Sequence, residues 1–145
     1  MKTIKTLMLG GILILASCGE KSDLPQYKVE EAILDVYKYR AEKPDSLFAK
    51  MEGVQVNDVM APVKQFGPVD VYNLEKVTPL DDGDKTVYEA VYKVSFKGAE
   101  GTETFKVKRI KKLDGIVVGY SSDIKPVTAK VDSAKTTVDS AQVKK

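Results

Sequence analysis

The chain has 145 residues, 23 basic and 21 acidic, with one cysteine, no histidine and no tryptophan. That composition removes zinc and copper sites built on imidazole or thiolate, and hydrolases that need a histidine base or a free cysteine nucleophile. No G-x-x-x-x-G-K-[ST] or G-x-G-x-x-G occurs, so no phosphate-cradling loop is declared and no cofactor or metal is expected.

In chain order, residues 1–6 carry Lys2 and Lys5 and no acid. An apolar run from Leu7 to Ala16 follows, interrupted only by Gly10 and Gly11. This is the layout of an export signal. The run is far shorter than the roughly 20 residues a bilayer-spanning helix needs, so no permanent transmembrane helix is expected. Leu15-Ala16-Ser17-Cys18-Gly19 closes the run and resembles a bacterial lipobox. The resemblance implies that residues 1–17 are a lipoprotein signal peptide, cut just before Cys18. It further implies a diacylglycerol on the Cys18 thiol, usually with an acyl chain on the new amino terminus. One such chain binds a membrane marginally, whereas two or three make attachment effectively permanent. Gly19 avoids the aspartate of the inner-membrane pattern, so the resemblance implies an outer-membrane lipid anchor. Glu20 and Asp23 resemble a thin version of the acidic stretch that sends some such proteins to the surface, and the membrane face stays open. The competing reading is an ordinary secretory signal with an incidental cysteine.

With Lys2 and Lys5 gone, 21 basic residues stand against 21 acidic ones. That balance indicates no nucleic acid as partner. The remaining chain is long enough for one domain with a modest core. If Cys18 is spent on lipid, that core must stand in an oxidising compartment without a disulfide.

Residues 18–26 read as the lipidated cysteine and a tether. Residues 28–41 predict a helix, because Val29, Ala32, Ile33, Val36, Tyr37 and Arg40 recur at helical spacing. Pro44 stops it. Ser46 is placed to cap a short second helix, 46–52, that packs Leu47, Phe48 and Met51. Asn57 or Asp58 is placed to cap a third, 59–66, with Pro62 in its first turn and Gly67-Pro68 ending it.

Four strands follow. Residues 69–78 form the first, and Pro79 with the acidic run Asp81, Asp82, Asp84 reads as a turn. That run lacks the further ligands of a calcium loop. Residues 86–97 alternate, with Tyr88, Ala90, Tyr92, Val94 and Phe96 on one face. After a turn at 98–101, residues 102–113 put Phe105 and Val107 inward, and a bulge would explain the broken parity between Lys108 and Ile110. Asp114-Gly115 signals a tight hairpin into a last strand, 116–121.

The expected fold is α+β, with N-terminal helices packed on a four-stranded antiparallel meander over residues 27–125. Helices leading into such a sheet resemble the cystatin-like and nuclear-transport-factor-like folds in element order. Those folds imply either a binding module, a small enzyme with a cone-shaped pocket, or a hydrolase inhibitor presenting apolar hairpin tips.

Residues 126–145 hold no aromatic, leucine or isoleucine, and read as a flexible low-complexity tail. Within it, Val-Asp-Ser-Ala occurs at 131–134 and again at 138–141. Asp132-Ser133-Ala134 and Asp139-Ser140-Ala141 resemble the O-glycosylation acceptor sequence of exported proteins in the Bacteroides group, and Asp45-Ser46-Leu47 also fits. The resemblance makes Ser133, Ser140 and Ser46 candidate acceptors.

Two other clusters draw a functional question. Lys106, Lys108, Arg109, Lys111 and Lys112 crowd seven residues. They read either as a patch for an anionic glycan, a lipid head group or an acidic partner such as an envelope protein, or as the solvated face of an edge strand. The seven tyrosines include candidates to line a helix–sheet pocket, with Glu89 or Asp70 beside Tyr72 as an acid–tyrosine pair. The absence of the usual catalytic residue types points to a non-enzymatic module held at the membrane by its lipid, with no catalytic residue.

Overall fold

A computed structural model of the chain describes residues 24–82, 85–111 and 113–128. Helix α1, Gln26–Glu42, leads into a 3₁₀ helix, Pro44–Lys50, and then into α2, Val56–Phe66. Strands β1 (Val69–Asp82), β2 (Lys85–Phe96), β3 (Ala99–Arg109) and β4 (Gly115–Pro126) form one antiparallel sheet in the order β1-β2-β3-β4. The α+β meander expected from the sequence is the observed architecture.

The α1 pattern buries Val29, Ile33, Val36, Tyr37 and Arg40, a stripe at helical spacing that lies across the sheet. On the facing side of β2, Tyr88, Ala90, Tyr92, Val94 and Phe96 are all buried, and Phe105, Val107 and Val117 extend that floor into β3 and β4. One face of the sheet is therefore core and the other meets water, as period-two alternation requires. Phe105 sits at the centre. Its ring lies 5.6 Å from Tyr37, 6.0 Å from Tyr92 and 5.2 Å from Tyr120.

Several local expectations are corrected. The domain starts earlier, because Leu24 is buried and α1 begins at Gln26. No side chain caps any of the three helices. The Lys28 and Val29 amides bond the Pro25 carbonyl, and the Asp58 amide bonds that of Gln55. Phe48 points to solvent, while Leu47 and Met51 are buried. Because α2 starts at Val56, Pro62 lies in its interior, not its first turn. Gly67 does end that helix with φ 87°, a conformation glycine adopts without a Cβ clash.

The strands run longer than the turn signals implied. β1 passes through Pro79, which pairs with Tyr88. Proline is tolerated there because β1 is an edge strand and needs no outward donor. Only Lys97 and Gly98 turn between β2 and β3. Gly101 lies in β3, where an added Cβ would strike the Asp123 backbone. The parity break near Ile110 is the end of β3 at Arg109, and the bulge is elsewhere. Lys106 pairs with Gly119 and Val107 with Val117, so Val118 is the extra residue.

The chain enters and leaves the domain at opposite ends of the sheet. The Leu24 amide donates to Tyr88 Oη at 2.9 Å, beside the β3–β4 loop end. The Val127 amide donates to the Gly98 carbonyl at 2.9 Å, at the β2–β3 turn.

Removing the central ring tests this packing. Phe105→Ala should cost about 3–5 kcal/mol, transfer and cavity terms together. Urea titration followed by far-UV circular dichroism should show the midpoint fall accordingly.

Candidate functional site

The sequence-marked residues do not converge. Cys18, Ser133, Ser140 and Lys112 lie outside the described residues. Ser46 is exposed in the 3₁₀ helix, with its amide bonded to the Lys43 carbonyl and no capping role for its side chain. Lys106 and Lys108 lie on the outer face of β3, Arg109 ends that strand, and Lys111 is in the loop beyond. β3 is an interior strand, which corrects the edge-strand reading. Glu89 stands opposite Lys106 in register, and Lys108 Nζ lies 3.3 Å from Glu52. Neighbouring acids thus answer part of the basic run.

What the fold brings together is a group that the residue pattern hid. Glu103 has no exposure to solvent, and Arg40 has 3 %. Arg40 Nη1 donates to Glu103 Oε1 at 2.7 Å and Nη2 to Oε2 at 3.1 Å, a bidentate pair. Tyr37 Oη donates to Oε2 at 2.7 Å, and Tyr120 Oη to Oε1 at 2.6 Å. Four donors therefore fill the acceptor positions of one carboxylate. Arg40 Nη1 also donates to the Val59 carbonyl at 3.1 Å, tying in α2, and the guanidinium stands 4.9 Å above the Tyr37 ring.

The electrostatics follow from burial. Burial drives the Tyr37 hydroxyl up, and the charge and hydrogen bond of Glu103 push it further the same way. Tyr120 is raised by the same causes in the same order. Burial works to lower the Arg40 guanidinium, but the hydrogen bond and charge of Glu103 outweigh it and leave it raised. Tyr92, buried nearby, is pushed up to about 12, first by burial and then by Glu30 and Tyr72.

A signal for this group was present in the sequence. Glu103 shares strand parity with Phe105 and Val107, and Arg40 shares the helical stripe of Val36 and Tyr37. Opposite charges at two inward positions were the clue.

Beside the network lies an open cavity of about 470 Å³ between α1 and the start of β1. Tyr37 and Arg40 form its inner wall, and Leu34, Val63, Val69 and Tyr72 supply apolar lining. Tyr72 stacks on Tyr37 at 4.4 Å with 8° between the rings. The carboxylate on this lining is Glu42, while Glu103 lies behind the wall; Glu89 and Asp70 are not part of it. The volume suits a small ligand or one inserted side chain. The geometry offers stacking and apolar contact, and it aims no second carboxylate at the cavity.

Two outcomes test the network. Arg40→Met strands a buried carboxylate and should cost about 3–5 kcal/mol, as should Glu103→Gln. The double variant should lose less than the sum, because each change removes what makes the other costly. Denaturant unfolding of the four proteins measures that coupling.

Alkali should expose the tyrosines. In the unfolded chain a tyrosine ionises near pH 10, while folded Tyr37, Tyr92 and Tyr120 stay protonated. The folded state then holds more protons. Their contribution is whole below about pH 10 and falls by about 1.4 kcal/mol per pH unit for each raised group above it. For Tyr92 the fall continues to about pH 12. Unfolding midpoints from pH 8 to pH 11.5 should drop more gently in Tyr92→Phe than in the parent.

Compared with protein-family models, with curated proteins and with solved structures, the chain finds no match.

Proposed function

We propose that this protein is a lipoprotein anchored in the outer membrane through Cys18, whose single α+β domain is a non-catalytic binding or structural module of the cell envelope. The observation that carries the reading is Leu15-Ala16-Ser17-Cys18-Gly19 at the end of a short export signal. No helix among the described residues is long and apolar enough to cross a membrane, so the anchor assigned to Cys18 is the membrane attachment in this reading.

The buried network supports a non-catalytic domain. Glu103 is not placed to exchange a proton with a molecule in the cavity. Its lone pairs are taken by Arg40, Tyr37 and Tyr120, and it does not line the cavity. The cavity instead favours docking of a small apolar or aromatic group against Tyr72. The tail leaves from the end opposite the tether.

Intact mass of protein extracted from its native membrane, with peptide mapping of both ends, tests the reading. The expected first residue is Cys18 carrying two or three acyl chains, with glycan on the tail serines. Cys18→Ala should leave the chain unprocessed and unacylated. A wild-type chain that begins elsewhere without lipid overturns the anchor.

A further inference from the structure

The described chain begins at Leu24, and that residue is fixed to one end of the sheet. It is buried, its amide is held by Tyr88 Oη, and its side chain lies 3.1 Å from where a Gly115 Cβ would stand. Only residues 19–23 separate it from Cys18. Even fully extended, that stretch reaches at most roughly 20 Å. β2 has 12 residues, so the two ends of the sheet are about 40 Å apart at strand rise. An anchor at Cys18 therefore keeps the Leu24 end near the bilayer.

That end has a distinct surface. The β3–β4 loop is closed by the Ile110 amide on the Asp114 carbonyl at 2.8 Å and the Asp114 amide on the Lys111 carbonyl at 3.0 Å. It leaves Ile110 47 % and Leu113 41 % exposed. In the adjoining first turn of α1, Tyr27 is 60 % exposed, and Lys28 Nζ lies 3.8 Å from Asp114. Aliphatic side chains on a closed turn suit the acyl boundary, and tyrosine and lysine suit the headgroup level.

We propose that Ile110, Leu113 and Tyr27 form a membrane-contact surface, seated in the headgroup layer of the bilayer that holds the Cys18 lipid. This rests on the lipid-anchor reading above. Apolar insertion drives the contact, because the charges at this end are mixed in sequence, with Arg109, Lys111 and Lys112 at the β3–β4 loop and acidic residues in the β1–β2 tip.

The chain has no tryptophan, so one introduced indole reports its own depth. Leu113→Trp, Tyr27→Trp and, at the far end, Lys97→Trp are produced as full-length precursors. Each is purified in acylated form and inserted into phosphatidylcholine vesicles with brominated acyl chains. Emission of Leu113→Trp should shift to the blue and fall by about half or more, since interfacial insertion places the ring about 5–10 Å deep. Lys97→Trp should keep its emission. Tyr27→Trp reads the same surface should Leu113→Trp misfold. An unquenched acylated reporter at this surface, or equal quenching at residue 97, overturns the contact while leaving the anchor intact. Mass spectrometry of the same samples reads the anchor separately, and an unacylated Cys18 overturns both.

Discussion

Glu103 carries its carboxylate into a part of the core that water does not reach, and the surrounding elements are arranged to answer that charge. Arg40 comes from α1 with two parallel bonds, Tyr37 from the same helix with a third, and Tyr120 from β4 with a fourth. The guanidinium then reaches on to the Val59 carbonyl in α2. One ion pair thus fixes how α1 and α2 sit against β3 and β4. A hydrophobic replacement could pack as stably, but it would not specify the rotation of α1 in the same way. Rotating the helix by one position would strand both charges at once.

The same constraint shapes the cavity. Tyr37 is held by its hydroxyl on Glu103, so its ring is presented to Tyr72 as a fixed stacking surface. Arg40, its charge neutralised by Glu103, forms wall there and does not act as a free cation. What remains open to a ligand is apolar lining with Lys38 and Glu42 at its margin.

Among the described residues, the first and last sit at opposite ends of the sheet. Entry at Leu24 is sealed by Tyr88, and exit at Val127 is tied to Gly98. The strands between them separate Leu24 from Val127 by the length of the sheet.

Much of the architecture was legible in the residues. The alternation Tyr88, Ala90, Tyr92, Val94, Phe96 sets a buried face, and the α1 stripe sets the helix that covers it, because apolar surface must leave water at periods of two and 3.6. Gly67 marked a helix end for a local steric reason. Local chemistry also misled. Pro79 reads as a turn, yet β1 runs through it, since whether a missing donor matters depends on which strand lies at the edge. Ser46, Asn57 and Asp58 are good capping residues that cap nothing, because backbone carbonyls already met the helix amides. The sequence by itself determined the periods, the sheet faces and the short spacing from Cys18 to the domain. Only the tertiary structure decided that Arg40 and Glu103 meet, 63 residues apart. A charge at an inward position states a need for a partner, and only packing in three dimensions brings that partner to it.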